Sequence, residues 1–465
     1  MKKSTLLLSF LFSLVAVSAQ NENNNWIFGN GLGLDFTGGT PVVTSSSLNG
    51  WDNSASISDS AGNLLFYTNG ELIYNKNGTV MPNGSGIQGD TSGGNCATIV
   101  KLPGANVYYI FTLDDAFTNN YGARYTVVDM SLDGGLGDVD VNQKNVAFVA
   151  NNSEKLVPVQ HGDGVSIWII IKEAGTNVFH AYLLTSVGLQ PTPITSTIGG
   201  IYNNSQDNLG QLTVNKTGDK LAAAYYQSGV VELYDFNNYL GFITKPIALT
   251  GLSGAIGVEF SPDGSKLYTT GLLSADLNQF DLSTYTQSAI SASKTVVGTI
   301  PATWATYRGG YMALGPDGKI YVVPTFSSNL GRIENPNSLG SACNYNGTAI
   351  NLAPKTVDAG LVTKIGVSKA NCTIQVINEI RVIDGSNSSF KLFPNPTNGN
   401  VNIQYSSNNS FDISIYDIQG RLVMEKMNER TNATLNINGL AKGTYVIKLS
   451  DKIESTEITK KIILN

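Results

Sequence analysis

The chain has 465 residues, too many for one ordinary core and enough for two or three domains. Only 14% of them are charged and 49 are glycine, which argues against a helical bundle, while 42% hydrophobic content excludes wholesale disorder. The net charge of −6 is uneven, with 18 Lys+Arg against 28 Asp+Glu over 21–390 and 9 against 7 over 391–465, so the acidic body excludes a nucleic-acid partner.

Residues 1–19 read as a signal peptide within "MKKSTLLLSFLFSLVAVSAQ". Lys2 and Lys3 form its charged start, Leu6 to Val17 its apolar stretch, and cleavage is expected after Ala19. No later stretch approaches the ~20 apolar residues of a spanning helix, so no membrane-spanning segment is expected after cleavage.

Over 24–372 one unit recurs: an apolar strand, a turn of Gly with Asp or Asn, then a second apolar strand. The clearest copies are "AIGVEFSPDGSKLYTTG" from Ala255, "GYMALGPDGKIYVVP" from Gly310 and "GQLTVNKTGDKLAAAYY" from Gly210. Weaker copies begin at Ser54, Asn95 and Lys155. Asp263-Gly264, Asp317-Gly318 and Gly218-Asp219 are expected to supply the positive-φ positions of tight hairpins. Further strand-like runs such as "VVELYDF" and "DLNQFDL" follow, making three or four antiparallel strands per unit. Sheets of this size repeating every roughly 40–50 residues predict an all-β fold, a β-propeller. A last strand from Gly360, "GLVTKIGVS", has no hairpin after it, and "NWIFGNGLGLDF" at Asn25–Phe36 is an orphan at the other end. Uniting the two completes a seventh blade and removes the open edges. Six or eight blades, or two stacked β-sandwiches, are the alternatives.

Three cysteines stand in a chain bound for an oxidising compartment. Cys343 and Cys372 are a disulfide candidate that would contribute roughly 3–4 kcal/mol by loop entropy. Cys96, in "CATIV", reads as a buried thiol.

The body resembles a family of extracellular propeller proteins of Bacteroidetes-type bacteria, with WD40/YVTN-like repeats. The match is carried by "NNWIFGNGLGLDF", "ISDSAGNLLFYTNGELIYNKNGTVMPNG", "EKLVPVQHGDG", "FSPDGSKLY", "LGPDGKIYV" and "IENPNSLGSACNY". That family usually closes its ring with a strand like "GLPNF", where this chain has "GLVTKIG".

Residues 373–390 turn polar and Ser/Asn-rich, and read as a linker. From 391 to 465 short alternating runs predict a small antiparallel β-sandwich, Ig-like in build. Phe411, Ile413 and Ile415 alternate along one such run. The module resembles the type A C-terminal sorting domain of the type IX secretion system. "FPNPTNG" with Pro394, Asn395, Pro396 and Gly399 carries the match, as do "IYDIQGRLV" with Gly420, "INGLAKGTYVIKL" with Gly443, and the ending "KKIIL". The resemblance implies the type IX machinery as partner, passage across the outer membrane, and release or surface attachment of the body.

Chemistry-bearing patterns are scarce. His161 and His180 are the two histidines, no G-x-S-x-G elbow occurs, and the nearest string, "GLSGA" from Gly251, misplaces its glycine. Neither a paired-cysteine nor an H-E-x-x-H metal motif is present. "LGDVDVNQ" opens like a calcium loop at Asp138, Asp140 and Asn142, but Gln143 and Val149 stand where Gly and Glu belong. No catalytic residue, metal or cofactor is therefore expected. The inner strands' N-terminal ends would converge on a funnel bearing Trp51, Asp52, Glu154, Asp207, Trp304 and Arg308, suited to a sugar or peptide. The bland alternative is solvated rim residues and core tryptophans. These observations lead to a secreted or surface-attached, non-enzymatic binding protein for a glycan, peptide or protein. An extracellular polysaccharide- or peptide-degrading enzyme and a structural spacer of a surface assembly are the alternatives.

Overall fold

The computed structural model describes residues 21–95, 97–115, 117, 121–301, 306–365, 390–405, 410–417, 422–429, 433–451 and 456–465. The signal peptide, Cys96, Trp304, Cys372, Gly420 and linker residues 373–389 lie outside the described residues. The chain divides into two compact units, Met1–Asn371 and Cys372–Asn465.

Seven antiparallel sheets follow one another through the first unit. Six of them begin with their own inner strand, namely Ala55–Ser58, Ala97–Lys101, Asn152–Gln160, Leu212–Val214, Ala255–Phe260 and Gly309–Leu314. Their later strands step outward in chain order, as in the fifth sheet, Leu212–Val214, Lys220–Tyr225, Val230–Phe236 and Ile243–Leu249. The first sheet, Asn25–Phe28, Asn30–Asp35 and Val42–Asn49, has three strands and no inner strand of its own.

The far end of the body fills that place. Ser54 N donates to Leu361 O (3.1 Å) and Thr363 N to Ser54 O (2.9 Å), making a parallel bridge between Ser54 and Val362. On the other side Tyr311 N donates to Ala359 O (2.9 Å). Trp26, Phe28 and Leu34 share one buried cluster with Tyr321, Val357 and Leu361. Both chain ends thus build one blade, and the ring is a closed seven-bladed β-propeller.

Apolar slabs between neighbouring sheets hold the ring together. One slab joins Val157, Ile170 and Phe179 of the fourth sheet to Leu221, Ala223 and Tyr234 of the fifth. Alternation along each strand supplies them, because successive side chains face opposite neighbours. In the third and fourth sheets the outermost position is shared by two short strands, Asp138–Val139 with Val146–Val149 and Gly188–Leu189 with Ile194–Thr197.

The hairpin turns differ from the tight form expected. Gly218, Gly264 and Gly318 alone take positive φ (74–76°), whereas the neighbouring Asp219, Asp263 and Asp317 do not. The turns at Gly218 and Gly264 are two residues longer, with Gly264 N donating to Ser261 O and Ser261 N to Lys266 O (both 2.9 Å), and the turn at Gly318 is one residue longer, with Gly315 N donating to Lys319 O (2.8 Å). The Asp side chain caps the turn instead, Asp263 Oδ1 accepting from Ser265 N (2.9 Å). The disulfide expected between Cys343 and Cys372 falls partly outside the described residues, since Cys372 is not among them; Cys343 itself is described. It is a free thiol buried with Tyr268, Met312 and Ile333, and burial pushes its pKa up.

The second unit is a sandwich. Phe390–Phe393, Asn400–Tyr405 and Ala433–Asn436 form one sheet. Leu422–Glu429, Phe411–Asp417, Gly443–Asp451 and Thr456–Leu464 form the other. Val401, Ile403 and Leu435 from the first meet Phe411, Ile413, Ile415 and Ile447 from the second in one core. The motif Pro394–Gly399 is tied to the last strand. Asn395 Nδ2 donates to Lys461 O (2.7 Å), and Asn395 Oδ1 accepts from Ile463 N (3.0 Å).

Closure leaves no room beside Gly360, where a Cβ would sit 2.2 Å from the Asp52 carbonyl carbon; at Gly38 it would meet nothing within 4 Å. Gly360→Ala is expected to destabilise the body by about 1–3 kcal/mol and Gly38→Ala by a few tenths at most, read as urea midpoints.

Candidate functional site

The strand order fixes what shares a face. Loops that lead into inner strands, and turns between second and third strands, all emerge where the inner strands begin. That face collects Trp51, Asp52, Glu154, Asp207 and Arg308, while Trp304 lies outside the described residues.

Glu154 is 1% exposed and its Oε2 accepts from Gly94 N (2.6 Å). Gly94 has to be glycine, since a Cβ there would lie 1.8 Å from the Tyr311 hydroxyl and 2.8 Å from Glu154 Oε2. Tyr311 and Glu154 therefore meet over its backbone. Asn53 closes the same corner, donating to Gly94 O and accepting from Leu361 N (2.7 Å). Asp52 is half-buried beside them, and its backbone N donates to Thr91 O (3.1 Å). Burial, then the charges of Glu154, Asp358 and Asp90, hold its carboxyl well above the usual carboxylate range. Asp358 is raised as well, by burial. Asp90 and Asp358 were not singled out in the sequence, because only ring closure brings residues 90, 154 and 358 together.

Asp207 belongs to a different network. It is 3% exposed and accepts from Ser228 N (2.7 Å) and Ser228 Oγ (2.8 Å), anchoring a turn. Its carbonyl, with those of Asn208 and Leu209, receives all three donors of the buried Lys155 Nζ (2.8–3.0 Å). Lys155 and Lys172 both lie over the Tyr225 ring, 5.0 and 5.6 Å from its centroid. Glu232 completes the cluster, bonding Gly200 N (3.0 Å) and the Tyr234 hydroxyl. Burial pushes Lys172 down to about 8, and pushes Lys155 well below its usual range with Lys172 adding to the effect. Sequence reasoning missed this cluster, although charged residues inside "SEKLVPVQ" and "IIIKEAG" were its signal.

Trp51 is 62% exposed, a rim residue and not a core tryptophan. Phe117, Tyr121, Ile201 and Leu273 are exposed on the same face. Arg308 is half-buried, its backbone pairing with Leu272 O and Thr325 N. Further along the axis Lys364 Nζ reaches Glu259 Oε1 (3.0 Å) and Val214 O (3.2 Å), and Gln211 bonds Met312 O (2.8 Å). The ring's centre is thereby occupied by side chains.

The histidines serve turns and strand edges. His161 accepts from Asp163 N (3.0 Å), and His180 pairs with Thr195 Oγ1 (3.2 Å). Asp138 spends its carboxylate on Asn83, and Asp140 caps Asn142 N (2.9 Å). Among the described residues no three His, Cys, Asp or Glu side chains form a metal-holding group. None of the helices described is long and apolar enough to cross a membrane.

Lys172 makes stability pH-dependent. Between about 8 and its ordinary 10.5 the unfolded chain holds a proton the folded one lacks, so stability rises with pH. Above about 10 the trend reverses, because Tyr225 and Tyr234 are held above their usual range in the fold and ionise first when unfolded. Urea midpoints are expected to show a gain of about 1 kcal/mol from pH 7.5 to 9, below the range in which the buried tyrosines oppose it. Lys172→Met should flatten that rise.

Residues 391–465 match the model of the secretion system C-terminal sorting domain. No curated protein matches the chain. Solved structures similar to it include a putative 6-phosphogluconolactonase of Bacteroides uniformis, 12% identical over 82% of this chain and 97% of that one, with a TM-score of 0.38. The periplasmic gluconolactonase of Pseudomonas aeruginosa is 13% identical over 77% and 97%, with a TM-score of 0.36. Hsv2 of Kluyveromyces lactis is 11% identical over 88% and 98%, with a TM-score of 0.35, and its form with the complete loop 6CD is 12% identical over the same shares, with a TM-score of 0.34. The seven successive sheets, and not these distant likenesses, make the body a propeller. Behind it, at 391–465, the chain carries a type IX secretion C-terminal sorting domain, which directs it to the cell surface or the medium.

Proposed function

We propose that the propeller is a non-enzymatic binding protein, displayed outside the cell, whose ligand docks on the face where the inner strands begin. One observation carries the reading. Exposed Trp51, Phe117, Tyr121, Ile201 and Leu273 surround an acidic mouth whose Glu154 and Asp207 are committed to backbone and serine partners. Aromatic faces beside carboxylates suit a glycan or a peptide, since such rings stack on sugars and on cationic side chains. Side chains filling the axis leave the rim as the surface open to a ligand.

A second reading has its own support. Asp52, held above the usual carboxylate range next to Glu154, has the electrostatics of a general acid beside a carboxylate. A polysaccharide- or peptide-degrading enzyme would use that pair.

Thermal melts against panels of oligosaccharides and peptides, with product analysis, separate the two. A binding protein shows a rise of a few degrees with one ligand class, abolished by Trp51→Ala, and no cleavage products. Cleavage that disappears in Asp52→Asn would establish the enzyme instead. For the export route, deleting 391–465 is expected to leave the body in the periplasm while the full chain reaches the exterior, as fractionation would show.

A further inference from the structure

We propose that the cleft between the fifth and sixth sheets is a subsite for a neutral, hydroxyl-rich ligand, a saccharide, with Asn278 and Thr269 as its polar floor. The proposal rests on the reading of the propeller as a binding protein and gives that reading a place and a ligand class.

The sixth sheet turns one face to the fifth. On its strands Lys266–Gly271 and Ser274–Asp281, Leu267 pairs with Phe280, and both pack with Ala222 and Leu233 of the fifth sheet. Two residues further along, on the same face, Thr269 pairs with Asn278. An apolar pair would continue the core there. The polar pair is instead 1% and 5% exposed, and neither Thr269 Oγ1 nor Asn278 Oδ1 has a hydrogen-bond partner among the described residues. Buried polar atoms left unpaired are costly, so their retention calls for a partner outside the chain.

Thr269 and Asn278 lie at a recess of about 100 Å3 that also takes in Ser274, Asp276 and Lys294. Gly251, Leu252 and Ser253 wall both this recess and a cleft of about 440 Å3, where Tyr226 and Leu273 stand. The cleft opens on the same face as the acidic mouth, because the 250–254 loop leads into an inner strand. Its volume is that of an ordinary small-ligand site.

The chemistry of the floor selects the ligand. Asn278 Oδ1 and the Asp276 carboxylate accept hydrogen bonds, and the Thr269 hydroxyl can do so too, so the occupant must bring donors. Asp276 disfavours an anion and the neighbouring Lys294 a cation. Hydroxyl groups on a neutral ring satisfy both, with Tyr226 as the face on which the ring lies.

The test uses the full chain without its signal peptide, thermal melts and calorimetry with cellohexaose, laminarihexaose, xylohexaose and maltohexaose. At least one is expected to raise the melting temperature. Asn278→Leu and Thr269→Val are expected to weaken its binding at least tenfold without lowering the melting temperature of the free protein. Tyr226→Ala, at the rim, should weaken binding too should either floor variant fold poorly. Saccharide binding that survives all three substitutions overturns the cleft and leaves the binding reading standing. A response to peptides and to none of the four hexasaccharides does the same. Silence in both panels overturns the cleft and the binding reading together.

Discussion

The propeller depends on one contact between residues three hundred positions apart. Ser54 is held between Leu361 and Thr363 by backbone hydrogen bonds, and Gly360 lies against the Asp52–Asn53 backbone with no space for a side chain. Without that contact the first sheet would present a bare inner edge, and Trp26 and Phe28 would lose Leu361 from their shared cluster. The same segment also fills the axis, since Lys364 reaches the buried Glu259 and the Val214 carbonyl on the far side of the ring. A carboxylate buried without its cation is strongly unfavourable. Sliding the closing segment by one residue would take the cation from Glu259 and leave it only Thr213 Oγ1 and Phe260 N, so the ion pair favours the register in which the ring shuts.

Closure in turn brings together the loops of the face where the inner strands begin. Adjacent residues of one inner strand, Glu154 and Lys155, point to opposite neighbours, as strand geometry demands. Glu154 takes the Gly94 amide of the loop before the third sheet, and Lys155 takes three carbonyls of the loop before the fifth. A single strand thus clamps two rim loops. Lys172, Tyr225, Tyr234 and Glu232 support the second clamp from below. The rim is held by buried charge, whose donors and acceptors are spent on the fold, and the exposed aromatic residues stand on that rigid base. The cleft between the fifth and sixth sheets adds two buried polar atoms, Thr269 Oγ1 and Asn278 Oδ1, that have no hydrogen-bond partner among the described residues.

Local chemistry was legible in the sequence. Glycines at 218, 264 and 318 mark turns, the Val/Ile/Tyr/Phe runs between them are strands, and the orphan strands at Asn25 and Gly360 announce a ring joined at its ends. Asp52 and Glu154 were picked from their places at the starts of inner strands, and the charge of Glu154 is one of those that act on the Asp52 carboxyl. Relations across sheets were not legible. Asp207 has the same position before an inner strand, yet Ser228 and Lys155 from other strands decide its role. Trp51 carries nothing in its neighbours to say that it is exposed. The thiol of Cys343 is enclosed by Tyr268 and Ile333, whose approach depends on how the sixth and seventh sheets pack. Charge within an apolar strand was the one overlooked local signal, and both buried lysines show it.

The terminal module applies the same logic on a smaller scale. Its two matched ends form one hydrogen-bonded unit: Asn395 bridges Lys461 and Ile463, Thr397 N donates to Ile463 O (2.8 Å), and Asn465 N donates back to Thr397 O (2.9 Å). The strand Thr456–Leu464 also covers the edge of Gly443–Asp451 along its whole length. Removing the last strand would strip Asn395 and Thr397 of these partners, although the motif also joins the paired strands Phe390–Phe393 and Asn400–Tyr405. In the folded module "FPNPTNG" and "KKIIL" are therefore neighbours on one hydrogen-bonded unit, although they stand at opposite ends of its sequence.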